Sequence, residues 1–431
     1  MLELCEQLSG AGYHAWLVGG SVRDSLLAQL NGSSAPGSWG GKDWDLATDA
    51  TPTQVMQVFR RVIPTGIEHG TVTVLIGKRQ FELTTLRTEF GYSDGRRPEQ
   101  VGFVTSIDED LARRDFTVNA IAFDPVTQQL IDPFEGLSDL ALRRLRAVGD
   151  PSGRFAEDGL RVLRAARFVA ALEFELDEAT ARAIRPSLGT YRQVSAERIR
   201  DEWNKTLRAR APSRGFRIMQ EHGLLEITAP ELAAQDTGSE DGGNAFSLAL
   251  RRVDLCPAQL ELRLAALLSG LDASPSRSAE LADALLGRLR YANAERKTIG
   301  RLIRAQALPL DPEPSDAGVR HWLRNVGPDL YRELCVLTRA GLDAAGDSAA
   351  SQALGASLER LERRASEQLA QKAALSLSEL AIDGKQLMRE LDLRPGPHVG
   401  KMLAALLDRV LEEPALNTRE RLIELARAWR P

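Results

Sequence analysis

The sequence predicts an α+β protein: an N-terminal part with a mixed β-sheet and helices, followed by an all-helical remainder. Three observations predict it. Short apolar runs and period-two alternation are confined to the first third of the chain. From Leu137 onward β signals give way to helical periodicity that runs to the end. The length, 431 residues, exceeds what one core accommodates, so two to four domains are expected. Apolar residues make up 43% and charged residues 27%, an ordinary globular composition. No apolar run is long enough to span a bilayer, and MLELCEQLSGAGYHAW lacks a signal peptide's basic and apolar regions. A cytoplasmic protein without a membrane partner is expected. Cys5, Cys256 and Cys335 are far apart and read as buried free thiols. The net charge of −5 does not favour a nucleic-acid binder, although a local basic face suffices for one.

Taken in order, residues 1–16 read as a short amphipathic helix through Leu2, Cys5, Leu8 and Ala11, followed by a buried strand, Ala15–Val18. Gly19-Gly20-Ser21 opens a helical segment carrying Arg23 and Asp24. Asn31–Gly41 is a loop by composition. In KDWDLATDA, Asp43 and Asp45 stand one residue apart, so an extended strand projects both to one face. Thr51-Pro52 opens a helix with Val55, Met56, Val58 and Phe59 inward. Thr71–Ile76 and Gln80–Leu86 alternate as strands around a Gly77-Lys78-Arg79 turn. Arg87–Pro98, polar and ending in basic residues, reads as a mobile loop, and Val101–Val104 as a further strand. A helix is expected from Ser106 through the RRDFTVNA region, then a strand-like Leu130-Ile131 and a turn at Asp132-Pro133. Helices are expected at Glu157–Leu172, Ala179–Pro186, Ser195–Leu207 and Pro212–His222. Ala233–Asn244 and Leu308–Ala317 read as breaks, and Leu393–Gly400 as a turn between two late helices.

Three groups of residues carry chemistry. Asp43 and Asp45 repel unless a proton or cation intervenes, and such a pair can hold Mg²⁺ ions that activate a hydroxyl and stabilise leaving pyrophosphate. Two aspartates in a surface turn fit the bare spacing as well. The glycine-serine turn before the helix offers backbone N–H groups to phosphate. Glu82, inside an alternating strand, is the candidate third ligand or neighbour; a solvent-facing Glu82 fits equally. Next, Arg113-Arg114-Asp115 with Asn119 can hold triphosphate and ribose hydroxyls, or form a solvated helix face with local salt bridges. Finally, Asp158 and Arg161 sit at i and i+3, on one face if helical. An aspartate acceptor beside an arginine donor matches the amine and ring nitrogen of cytosine or adenine and rejects guanine and uracil. An i,i+3 salt bridge is the plain alternative.

In order, GGSVRD, the DWD pair, RRDFTVNA, DPFEGLSDL, RFAEDGLRVLRAARF and SAERIRDEWNKTL resemble the class II tRNA nucleotidyltransferases, the family of CCA-adding enzymes and bacterial poly(A) polymerases. The resemblance covers Tyr13 to Pro230, with a further match around DLRPGPHVGKML. It implies a catalytic nucleotidyltransferase head at 1–137, a helical neck at 138–210 that recognises the base, a helical body at 211–375 and a tRNA-contacting tail at 376–431. It further implies template-independent addition of C and A from CTP and ATP to the 3′ end of tRNA, with Mg²⁺ on Asp43 and Asp45. Gly20, Ser21 and Arg23 would hold the triphosphate, Arg114 and Asp115 would face the ribose, Asp158 and Arg161 would pair with the base, and Asn119 and Arg164 are further nucleotide-binding candidates. Ser195–Leu207 resembles the motif that supports the head–neck geometry. Arg87–Pro98 resembles the loop used in switching from CTP to ATP, which CC-only enzymes lack. The insert between Asp24 and Asp43 is longer than usual. Where relatives with an HD phosphohydrolase domain place His-Asp, LRLAALLSGLDAS has Ser269 and Gly270, so no HD metal site is expected. Arg192, Arg198, Arg200, Lys205, Arg208, Arg210, Arg214 and Arg217 form a candidate tRNA-phosphate face. An A-only tRNA enzyme, a poly(A) polymerase and a silent RNA-binding protein remain alternatives, and monomer and homodimer both fit.

Overall fold

The computed structural model describes the chain except residues 36–38, 40–43, 68–69, 93–97, 105, 237–243, 307–310, 312 and 430–431, and only the backbone of 88–92, 98–101 and 103. It divides into two compact units, Met1–Pro230 and Glu231–Pro431.

The first unit opens with helix α1 (Leu2–Gly10), β1 (Ala15–Val18), α2 (Gly20–Leu30) and β2 (Asp45–Thr48). Leu4, Cys5 and Leu8 are buried in α1, whereas Leu2 is exposed. Helix α3 (Pro52–Val58) starts with a Thr51/Gln54 capping box and Pro52 in its first turn, as its sequence dictates. Val55 and Phe59 are buried beneath it, but Met56, expected inward, is exposed. Strands β3 (Val62–Gly66), β4 (Thr71–Ile76) and β5 (Arg79–Thr85) follow. A ribbon of β6 (Arg87–Tyr92) and β7 (Pro98–Phe103) comes next, then α4 (Ile107–Ala112), β8 (Ala122–Asp124) and β9 (Gln129–Ile131). The described strands make a seven-stranded sheet in the order β3-β4-β5-β2-β1-β8-β9. Every pairing is antiparallel except β2 with β5. One face buries Trp16, Val18, Ala47 and Ala122 against Leu86, Ile107, Leu111 and Val148.

Two expectations fail here for identifiable reasons. Arg87–Pro98 is largely not a loop: β6 pairs with β7 from Arg87↔Phe103 to Tyr92↔Pro98, and alternating Thr88, Phe90 and Tyr92 are strand formers. The helix from Ser106 stops at Ala112. Beyond it, the Asp115 carboxylate accepts from the Phe116 N–H at 2.9 Å and from Asn119 Nδ2 at 3.0 Å. Such local side-chain bonding competes with helix, and the chain passes through a 3₁₀ turn at Thr117–Asn119 into β8.

Helices α5 (Gly136–Ala141), α6 (Pro151–Glu157), α7 (Leu160–Leu172), α8 (Glu178–Ile184), α9 (Leu188–Tyr191), α10 (Ala196–Leu207), α11 (Pro212–Glu221) and α12 (Leu224–Thr228) complete this unit. Strand character does not vanish after Leu137: β10 (Arg144–Leu145) and β11 (Glu175–Leu176) form a short parallel pair. The helix expected over Glu157–Leu172 is broken at Asp158, which is extended (φ −147°, ψ 108°). Its carboxylate accepts the Leu160 N–H at 2.9 Å, a local side-chain turn between α6 and α7. Asp158 and Arg161 therefore do not share a helix face. Helix α7 packs against α10 and α11. Gly215 makes that approach possible, since a Cβ there would stand 2.8 Å from the Ala166 carbonyl oxygen and 2.7 Å from Thr206 Cγ2. Trp203 and Phe216 meet edge to face beside it, 5.1 Å between centroids.

In the second unit the described residues form helices at Ala245–Leu255, Leu260–Leu268, Pro275–Arg288, Asn293–Ala305, Asp316–Val326, Tyr331–Ala345, Ala349–Ala370, Gly384–Glu390, Pro397–Glu412 and Arg419–Ala428. Buried Arg320 ties three of them together, donating to the Leu411 carbonyl and to Gln368 Oε1, each at 2.6 Å. The helix from Pro397 begins inside the expected Leu393–Gly400 turn. All three cysteines are buried thiols, and burial pushes Cys5 and Cys335 up to about 12 and Cys256 to about 11. No helix among the described residues is long and apolar enough to cross a membrane.

Candidate active site

The site begins where β1 runs into α2. Gly19 joins them with φ 73°, a left-handed conformation suited to glycine. A Cβ there would lie 3.2 Å from Arg114 Nη1 and 3.6 Å from Asp45 Oδ2, so strand end, helix start, cation and carboxylate meet at one point. Antiparallel pairing of Leu17 with Leu46 brings Asp45 to that corner. Parallel pairing of β2 with β5 then sets Asp45 directly opposite Glu82, and in-register neighbours face the same side of a sheet. Both border a cavity of about 180 Å³ together with Asp110 and Arg87. Asp43 lies outside the described residues, and among the described residues no group of three or more His, Cys, Asp or Glu is placed to hold a metal. Asp45 and Glu82 offer only hard oxygen donors, which fits a hard divalent cation such as Mg²⁺.

A larger cleft of about 540 Å³ opens from the same corner, bordered by Gly19, Gly20, Asp45, Asp115, Asn119 and Asp158. Seven arginines also border it, namely Arg23, Arg113, Arg114, Arg161, Arg164, Arg167 and Arg198. Seven cations against three aspartates make it an anion receptor. Ser21 is not on its wall; its hydroxyl donates to the Val18 carbonyl at 3.2 Å and braces the turn.

Most of these arginines are paired with carboxylates, and Arg113 and Arg114 do make local helix salt bridges, but to a buried Asp110 and on the wall of the cleft. Buried Asp110 accepts from Arg113 at 2.6 Å and from Arg114 at 3.1 Å. Arg23 donates to Asn119 Oδ1 at 2.7 Å, Asn119 donates to Asp115 at 3.0 Å, and Arg164 Nε donates to Asp115 at 2.7 Å. Arg167 donates to buried Glu202 at 2.5 Å. Arg161 donates to Glu157 and, at 3.0 Å each, to the carbonyls of Arg154 and Arg113. Asp158 instead accepts from Arg198 at 2.7 Å. The structure thus brings Gly20, Arg23, Asp45, Arg114, Asp115, Asn119, Asp158, Arg161 and Arg164 to one cleft, with Glu82 next to Asp45. Asp110, Arg167 and Phe168 carry no motif signal of their own, and Arg198, expected on a tRNA-phosphate face, borders this cleft instead. Asp110 stands with Asp108 and Glu109 in the first turn of α4, and the fold turns it inward.

Of the eight basic residues of the candidate tRNA face, Arg198, Arg200, Lys205, Arg210 and Arg214 are ion-paired with carboxylates. Arg192, Arg208 and Arg217 are exposed.

Burial alone raises the Asp115 and Asp110 carboxyls, but Arg164 beside Asp115, and Arg114 and Arg113 beside Asp110, more than offset it. Both sit below the ordinary value of 3.8. A carboxyl lowered on folding stabilises the protein above its unfolded value and loses that contribution as pH falls through the folded value. The urea midpoint of the wild type is therefore expected to drop steeply as pH falls below 3.8. Asp110→Asn is expected to be less stable at pH 7 and to show a shallower acid limb; an unchanged limb would show that the pairing contributes nothing.

Against known proteins, the description "Poly A polymerase head domain" matches residues 15–146, that of an RNA and SrmB-binding site of polymerase A matches 173–236, and that of a tRNA nucleotidyltransferase domain 2 matches 344–426. The CCA-adding enzyme of Latilactobacillus sakei subsp. sakei is 34% identical over 99% of this chain and 97% of its own. That of Lactobacillus delbrueckii subsp. bulgaricus is 36% identical over 98% and 96%. The chain belongs to the class II tRNA nucleotidyltransferases. Among solved structures of this family, the Bacillus stearothermophilus CCA-adding enzyme in complex with CTP superposes with TM-score 0.76 at 30% identity, covering 99% of this chain and 96% of that one. The Thermotoga maritima CCA-adding enzyme complexed with tRNA shares the fold at 18% identity, with TM-score 0.62.

Proposed function

We propose that this chain adds C and A nucleotides, from CTP and ATP, to the 3′ end of tRNA and releases pyrophosphate. The observation that carries this reading is that one cleft joins the Asp45 corner, an arginine-lined anion receptor and the Asp158–Arg161 pair. Support comes also from full-length relatives named CCA-adding enzyme. In this reading the division is a head at 1–137, a neck at 138–210, a body at 211–375 and a tail at 376–431, in a cytoplasmic enzyme.

Asp43 and Asp45 would hold Mg²⁺, with Glu82 alongside. When bound, the metal supplies Lewis acidity that lowers the pKa of the tRNA terminal hydroxyl and neutralises charge on the phosphates. The N-terminus of α2 at Gly20 and the Arg23 guanidinium hold the triphosphate, with Ser21 bracing that turn. Arg114 and the Asp115–Asn119 pair face the ribose. Three of the five N–H donors of Arg161 are committed to Glu157 and to two backbone carbonyls; that fixes its fork and leaves two for a base. Asp158, oriented by Arg198 and the Leu160 N–H, accepts from the exocyclic amine of cytosine or adenine, and Arg164, paired with Asp115, faces the same nucleotide. Uracil and guanine present a carbonyl to that carboxylate and are repelled. Asp158→Ala is accordingly expected to erase most discrimination against UTP and GTP, about 10-fold or more. Unchanged selectivity in single-nucleotide competition would refute the template role.

The deciding experiment incubates the protein with tRNAs ending at the discriminator base, at C and at CC, with CTP, ATP or both, and sequences the 3′ ends. Addition of all three nucleotides is expected. Extension of only the CC-ended tRNA would make it an A-adding enzyme, long A tails on unrelated RNA a poly(A) polymerase, and no product a silent RNA binder.

A further inference from the structure

We infer that Phe168 is a positioning residue for the nucleotide triphosphate: its ring is the common wall on which three site arginines are held together. The Arg167 guanidinium carbon lies 3.7 Å from the ring centroid, that of Arg23 5.3 Å and that of Arg164 5.5 Å. These cations come from two separate elements, Arg23 from α2 and the other two from α7. Like charges this close repel, and burial makes the Arg167 cation costlier still. Carboxylates offset part of this, Asp115 for Arg164 and Glu202 for Arg167. Arg23 bonds Asp24 on the solvent side and the neutral Asn119 inside, which leads on to Asp115 and Arg164; it also meets α7 directly at the electron-rich ring face.

The ring itself is fixed. Phe168 is 5% exposed, borders the cleft and meets Phe116 edge to face at 5.6 Å. An aliphatic side chain of similar volume would fill the space but supply no quadrupole, so the cations would spread and the phosphate receptor would lose its geometry. Asp158 and Arg161 are held by other partners, so base choice is not expected to change.

This rests on the reading that Arg23 holds nucleotide phosphates. The test measures CTP and ATP incorporation and the binding of inorganic tripolyphosphate by calorimetry for wild type, Phe168→Leu, Phe168→Met, Phe168→Tyr and Arg23→Ala. Expected for Leu and Met are KM values for both nucleotides, and a tripolyphosphate Kd, raised about tenfold, with kcat and the preference over UTP and GTP little changed; Tyr, which keeps the ring face, restores them. If Leu or Met fails to fold, the other carries the test, and the Tyr rescue stands by itself. A fall in kcat or melting temperature with KM and tripolyphosphate Kd unchanged would overturn the proposal by making Phe168 a packing residue only. If Arg23→Ala weakens tripolyphosphate binding while the Phe168 variants do not, only the role of Phe168 fails; if Arg23→Ala has no effect, the phosphate assignment fails with it.

Discussion

Asp45→Ala is expected to lower nucleotide incorporation on the order of a thousandfold or more while leaving tRNA affinity within about twofold. The carboxylate stands at the meeting point of strand end, helix start and Arg114, opposite Glu82. It is the exposed first residue of β2, whereas Leu46 and Ala47 behind it are buried and carry the apolar packing of the strand. The loss is therefore expected in kcat rather than in folding. Gel-shift titration and single-turnover kinetics on the same preparation check this. Turnover within about tenfold of wild type would refute the assignment of Asp45 as a metal ligand. Reduced tRNA binding in parallel would point instead to a damaged fold.

Glu202→Ala is expected to be the most destabilising single change near the site, by about 3–5 kcal/mol, because removing one partner of a buried ion pair strands the other. Glu202 on α10 is 2% exposed and accepts from Arg167 at 2.5 Å and from Lys205 at 2.9 Å. Arg167 retains only 14% side-chain exposure, so water cannot replace the lost carboxylate. A cation left there also crowds Arg23 and Arg164 across Phe168. A drop in melting temperature on the order of 10 °C follows for a unit of this size. Thermal unfolding by circular dichroism measures it, with Arg167→Met/Glu202→Met as the partner variant that removes both charges. That double variant is expected to recover much of the loss; a single variant as stable as wild type would show that the pair is solvated.

Much of the head was legible in its residues. Ala15–Val18 is a strand because four apolar residues precede a glycine turn, and the Thr51-Pro52 start of α3 is written in its capping box. The order of the motifs was sufficient to name the family before any geometry. What local pattern could not reveal was set by partners distant in sequence. In the β6–β7 ribbon, Arg87–Pro98 read as a loop because polar and basic residues dominate it, whereas pairing with Pro98–Phe103, part of which read as a strand, makes Arg87–Tyr92 a strand. Asp158 fits a helix by spacing, but it is extended, and its carboxylate bonds the Leu160 N–H in a turn between two helices. The Trp39 ring illustrates the same limit: the insert Asn31–Gly41 reads only as a loop by composition, yet Trp39 within it stacks on Phe123 of β8 at 3.8 Å between centroids.

The sequence by itself determined the residue types of the site, the α+β division and the family, because glycine turns, capping residues and hydrophobic periodicity act over a few residues. Only the tertiary structure decided which charges meet. Asp110 and Glu202 look like ordinary surface acids on their helices, and Phe168 like one more core residue of α7. The packing of α7 against α10 and of α4 beneath the sheet buries them. In that low-dielectric setting each arginine must find a carboxylate, a carbonyl or a ring face, and the receptor around Gly19 and Asp45 is the arrangement in which the described ones do.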